Sequence, residues 1–258
     1  MGIMRTMLLT LLLALLSAPT SRAFGQSLTE QMQDLLERGY YNSAATVNGP
    51  ALVARFPNDP QAHYLFAQAL YLTNDLTEAR RELDRTLQLS GSPTPEITHL
   101  DGLLKALEGN SKIALEDLRT AFEATGSYQY AMDWGRIAWQ AGRYDEALEA
   151  YDAAAKTNRG SNSLWPYLNR GRILLFLGRY QDAIVAFTTV IDVFDANDLG
   201  TARPSPAYVE AFFRLGEVYE QLGDVEQAKN NYRASLSADP NYTPADDALT
   251  QLTKEAGE

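Results

Sequence analysis

A glycine or asparagine followed five residues later by an alanine recurs six times along this chain, and that recurrence constrains the fold more than any other feature. The turn residues are Gly39, Asn74, Gly109, Gly142, Gly178 and Gly223, and the alanines are Ala44, Ala79, Ala114, Ala147, Ala183 and Ala228. Successive turn residues are spaced by 35, 35, 33, 36 and 45 positions, the period of architectures built from stacked helix pairs. A unit of this length buries its apolar face only against its neighbours, so the pattern predicts one elongated all-α domain.

Each unit reads as helix, turn, helix. Glycine and asparagine tolerate the left-handed conformation that ends a helix, which places the turn. Seven residues before four of the turns stands another glycine, Gly102, Gly135, Gly171 or Gly216, with Ala67 and Met32 in the equivalent places elsewhere. Small residues there and at the alanines let the two helices approach closely, and Trp134, Tyr151, Phe187, Leu215 and Tyr232 fill the remaining interior. Acids such as Glu146, Asp182 and Glu226 fall in the first turn of the second helix, where the macrodipole favours negative charge.

The pattern resembles the tetratricopeptide repeat family. The last unit carries it best, through Phe212, Leu215, Gly216, Tyr219, Gly223, Asp224, Ala228, Tyr232, Leu236 and Pro240. The resemblance implies a right-handed α-solenoid of about six helix-turn-helix units, over residues 28–60, 61–93, 95–127, 128–160, 164–196 and 207–242, closed by a capping helix at 243–256. The first unit lacks the small residue on its first helix, as terminal units often do. Residues 157–163 lengthen one link slightly, and residues 195–206 add about ten before the sixth unit. Such insertions protrude as loops, tolerated or functional.

Ahead of the repeats, Arg5 precedes an apolar run from Met7 to Leu16, then a break at Ser17-Ala18-Pro19. As helix the run is about 15 Å long, half of a bilayer core of about 30 Å, so it does not span unaided. Basic start, apolar centre and small residues beyond form a secretory signal pattern, giving residues 1–25 as a signal peptide cleaved after Ala23 or Gly25 and 26–258 as the exported domain. The rival reading is an uncleaved anchor. Export to a bacterial periplasm or envelope is the expected address, with no stable membrane span after cleavage.

A net charge of −11 repels phosphate backbones, so nucleic acid is not an expected partner. There is no cysteine and there are only two histidines, His63 and His99. Active-site motifs are absent, and no metal, cofactor or enzymatic role is expected. His63 occupies a packing position of the family.

Binding is the better candidate. In the family, partners lie in a concave groove lined by the first helices, which implies Tyr64, Gln68 and Tyr71; His99 and Leu103; Met132, Arg136 and Trp139; Trp165, Leu168, Asn169, Arg172 and Leu175; then Phe213, Arg214 and Glu217. Aromatics, methionine and arginine are enriched at interaction hot spots. Arg136 and Arg172 occupy equivalent places in adjacent repeats, so they are expected side by side, either holding an acidic group of a protein or peptide partner or pairing with Asp133, Glu217 or another acid. Some family members clamp a terminal carboxylate. Only Asn169 and Arg214 match that set, with Arg136 in place of an asparagine and Met132 and Glu210 in place of lysines, so the clamp is not expected. Trp139 and Trp165 have packing as their alternative. The resulting expectation is a non-enzymatic interaction scaffold, with a receptor for a small molecule or glycan as the alternative.

Overall fold

The computed structural model describes residues 21–197 and 204–255. The signal-peptide reading falls mostly on residues outside that range, as do the middle of the 195–206 insertion and the last residue expected in the capping helix. Every regular element described is helical. The helices are α1 Ser21–Glu37, α2 Gly49–Arg55, α3 Pro60–Leu72, α4 Leu76–Ser90, α5 Pro95–Leu107, α6 Ser111–Thr125, α7 Tyr128–Gln140, α8 Tyr144–Lys156, α9 Trp165–Phe176, α10 Tyr180–Ala196, α11 Pro206–Gln221, α12 Val225–Ala238 and α13 Thr243–Glu255.

All six turn residues take positive φ, including Asn74 at 64°. The hydrogen bonds match: Arg143 N reaches back to Ala138 O at 2.8 Å and Gly142 N to Trp139 O at 3.0 Å, closing α7 with the six-to-one bond of a Schellman motif. The next helices are then capped from the front, as where the Asp224 carboxylate accepts from Gln227 N at 3.1 Å. In the first unit the second helix is broken. A short turn at Tyr41–Ser43 and a π-helical stretch at Ala44–Asn48 precede α2, and the widening lies just before Pro50, which has no N–H to bond four residues back.

Three of the glycines on the first helices also make room for an aromatic ring of the second helix. Sixteen residues after Gly135, Gly171 and Gly216 stand Tyr151, Phe187 and Tyr232, and each ring lies against its glycine. A Cβ on Gly171 would sit 2.7 Å from Phe187 Cδ1 and 2.8 Å from its Cζ, and one on Gly135 2.8 Å from Tyr151 Cε1. The glycine is the seat of an aromatic ring from the second helix. Where the seat is Ala67 the residue sixteen later is Leu83, and both are fully buried.

The chain packs as two compact units, Met1–Leu104 and Lys105–Glu258, with the boundary inside α5 and therefore inside the expected third repeat. In the first unit Met32, Leu52, Leu65, Phe66 and Leu83 form the core. His63 is buried in that unit, its Nδ1 2.6 Å from the Glu82 carboxylate and its Nε2 3.0 Å from the Pro57 carbonyl, a packing role as expected. In the second unit one cluster gathers Leu168, Leu174, Phe187, Val190 and Leu215, and another joins Phe213 and Tyr232 to Ala245 and Leu252 of α13. The closing helix thus covers the end of the last repeat. Helix pairs packed only on their sequence neighbours account for this succession of local cores.

Candidate functional site

In the second unit, residues spaced by three and four on α7 and α9 bring Met132, Arg136, Trp139, Trp165, Asn169 and Arg172 onto one cavity of about 610 Å³. A neighbouring cavity of about 450 Å³ has Trp139 and Arg172 as a shared wall and continues to Phe176, Tyr180 and Arg214. The sequence reading anticipated seven of these residues. Trp165 is 42 % exposed. Trp139 is half-buried and packs edge-on against Tyr144 and Phe176, with ring centroids 5.7 and 5.6 Å away, so it belongs both to the packing and to the cavity wall.

Three expected groove residues do not reach the surface. Leu168 is fully buried in the core of the second unit, because its position on α9 turns it toward α10 and α11 rather than along the Trp165, Asn169, Arg172 stripe. Phe213 is buried against Tyr232 and Tyr242, and Leu103 is buried as well. Tyr64, Gln68, Tyr71 and His99 belong to the first unit, where each is half-buried on α3 or α5.

The arginines are bound to acids of the chain itself. Arg136 donates to Asp133 at 3.0 Å. Arg172 donates from Nε to Glu210 Oε1 at 2.9 Å and from a terminal nitrogen to Glu210 Oε2, and also to Asn169 at 2.9 Å. Arg214 shares the Oε1 oxygen of the same carboxylate, its Nε donating at 3.0 Å, and reaches Glu217 at 2.8 Å. Burial alone would push the Glu210 carboxyl up; the hydrogen bonds and charges of Arg172 and Arg214 outweigh it and hold it below the usual glutamate value. Burial likewise pulls on Arg214, and its bonds to Glu217 and Glu210 leave it above its ordinary value. Of the two expected fates of the arginine pair, pairing with acids is the one present in the structure. Glu210, noted in the sequence only as standing where a lysine would be needed, is the centre of that network.

The cavity floor is Tyr151. Burial pushes its phenol up to about 12, against the opposing pull of the Arg136 and Arg172 charges, so it stays a hydrogen-bond donor at neutral pH. At the rim stands Arg159, absent from the sequence-level candidates, with its guanidinium 5.1 Å above the Tyr128 ring. The only signal for it was the lengthened link at 157–163. Among the described residues no group of three or more His, Asp or Glu is arranged to hold a metal ion, and no helix is long and apolar enough to cross a membrane.

Paired helices with left-handed turns, ring-on-glycine seats and a cavity on the first helices define a protein of the helical-repeat class. Sequence profiles of the tetratricopeptide repeat match residues 30–92, 126–196 and 209–242, well over half of the chain, and the chain belongs to that family. Heat shock protein STI1 of Saccharomyces cerevisiae is 28 % identical over 118 residues, 46 % of this chain and 18 % of STI1. BBSome complex member bbs-4 of Caenorhabditis elegans is 24 % identical over 161 residues, 62 % of this chain and 34 % of bbs-4. The chain therefore spans about a fifth of the one relative's length and about a third of the other's. Among solved structures, PilW, a widely conserved type IV pilus biogenesis factor, superposes with a TM-score of 0.68 at 12 % identity, covering 88 % of this chain and 98 % of PilW. PilF of Pseudomonas aeruginosa gives 0.64 at 14 %, covering 90 % and 99 %. YrrB, a repeat protein with an unusual peptide-binding site, gives 0.59 at 19 %, covering 78 % and 97 %. These likenesses establish the fold as that of the all-α repeat solenoids.

Proposed function

We propose that the protein is a non-enzymatic interaction scaffold of the bacterial cell envelope, binding an extended segment of a partner protein on the face formed by α7, α9 and α11. The observation that carries this reading is the convergence of two tryptophans, a methionine and two arginines on one open cavity. Large, preorganised side chains of these types supply most of the binding energy at protein interfaces. An acidic group of the partner near Arg136 and Arg172 is part of the proposal, and it would have to compete with Asp133 and Glu210. The envelope address rests on the signal pattern of residues 1–25. The shared fold of a pilus biogenesis factor is compatible with that address.

A second reading, a receptor for a small molecule or glycan, draws on the cavity of about 610 Å³ walled by Trp139 and Trp165, a size that suits such ligands. A photoreactive amino acid placed in cells at Trp165, and separately at the exposed Val185 of α10, distinguishes the readings. The scaffold reading expects one protein adduct from position 165, none from 185, and recovery of the adduct in the envelope fraction. Equal adducts from both positions, or none from 165, would overturn it.

A further inference from the structure

The link between α8 and α9 is a built structure. Thr157 Oγ1 donates to Ala154 O at 2.8 Å and accepts from Gly160 N at 3.0 Å, and Ser161 N donates to Thr157 O at 3.0 Å. Gly160 is buried so closely on this knot that a Cβ would fall 2.7 Å from the Ala154 carbonyl carbon. These bonds hold the backbone that carries residue 159 to the cavity rim. The ring beneath its guanidinium is also fixed, since the Tyr128 hydroxyl pairs with Ser163 Oγ at 2.8 Å across the same link.

The cavity presents Arg136, Arg159 and Arg172 against one lining carboxylate, Asp133. Asp133 is committed on both oxygens, Oδ1 to Arg136 and Oδ2 to the Gln129 amide at 3.1 Å. Arg172 is committed to Glu210 and Asn169. Two donors remain. Among the described residues Arg159 has no carboxylate partner, and the Tyr151 hydroxyl has no hydrogen-bond partner. The repeat-equivalent Tyr232 hydroxyl is satisfied by Glu220, four residues beyond its glycine seat, where the Tyr151 repeat has Trp139. A buried phenol and a stacked guanidinium line the same cavity, whose lining is net positive in an acidic protein, and each can donate to an anion that accepts hydrogen bonds.

We propose that Arg159 and the Tyr151 hydroxyl form a carboxylate-binding subsite in this cavity, supplied by the inter-repeat link rather than by the arginines of the first helices. The inference rests on the peptide-binding reading for its source of carboxylate, an Asp or Glu side chain or a chain terminus of the bound segment. The Arg136 and Arg172 networks then act as a fixed wall, and Trp165 closes the apolar side.

The test uses the exported domain, residues 26–258, against arrays of synthetic 12-residue peptides made both as free acids and as C-terminal amides. The subsite predicts that bound peptides share a carboxylate, either an internal Asp or Glu or, if only free acids bind, the terminus. Arg159→Gln should weaken these peptides about tenfold or more, the size of a lost charge-assisted bond, while leaving their Asn, Gln or amide counterparts unchanged. Tyr151→Phe should weaken them about threefold, and it is structurally conservative because Phe187 fills the same place in the next repeat. An acid preference undiminished in Arg159→Gln, or no acid preference at all, overturns the subsite. If no peptide binds, the peptide reading fails and N-acetylglutamate alone decides. Saturable shifts of the Trp139 and Trp165 indole NMR signals, lost in Arg159→Gln, keep the subsite as one for a small acid; no shift overturns it.

Discussion

Gly171→Ala sets two effects of opposite sign against each other at a position where the structure says which wins. Alanine in place of glycine within a helix gains about 1 kcal/mol of backbone propensity. The new Cβ, however, would lie 2.7 Å from Cδ1 and 2.8 Å from Cζ of Phe187, a ring with no exposed surface and neighbours on every side. Overpacking of this kind costs about 1–3 kcal/mol, and burial of the ring puts it toward the upper end, so the net loss should be about 1–2 kcal/mol. Phe187→Leu alone removes ring atoms over an unfilled glycine and should also cost about 1–2 kcal/mol. The double variant recreates the Ala67 and Leu83 pairing that the chain already uses in its second repeat, where both are fully buried. It should return to within about 1 kcal/mol of the parent, a favourable coupling of about 2 kcal/mol. Equilibrium urea unfolding followed by circular dichroism measures all four corners of the cycle. Gly171→Ala as stable as the parent or more so, with additive behaviour in the double variant, would refute the ring-seat account of these glycines.

Two further perturbations address the charged networks. Glu210→Gln leaves Arg172 and Arg214 facing each other and should cost about 2–3 kcal/mol, less than a fully buried pair because both arginines keep a third of their surface. Because the folded state lowers the Glu210 carboxyl, its contribution is complete above the ordinary glutamate range and is lost as pH falls through the lowered value. The variant should therefore lose stability less steeply on acidification, and parallel pH profiles of thermal midpoints would contradict this. In the first unit, His63→Leu leaves the buried Glu82 carboxylate with only the Arg81 guanidinium at 3.4 Å and should cost about 2–3 kcal/mol, whereas adding Glu82→Leu should recover most of it. No recovery in urea melts would mean that the pair is not what holds α3 to α4.

What the sequence determined alone was everything that depends on local periodicity. The left-handed turns at Gly39, Asn74, Gly109, Gly142, Gly178 and Gly223 were legible because a single backbone conformation selects the residue type. Met132, Arg136 and Trp139 were placeable on one face, and Trp165, Asn169 and Arg172 on another, because side-chain direction repeats every 3.6 residues. Leu168 shows the limit, since one position off the stripe along α9 is the difference between cavity wall and core, and only the packing of α10 and α11 decides it. The partners of Arg172 and the donors left open at Tyr151 and Arg159 were decided by tertiary structure. An ion pair spanning thirty-eight residues, or a guanidinium presented by a knotted link, depends on where separate helices come to rest, and no spacing along one helix encodes that.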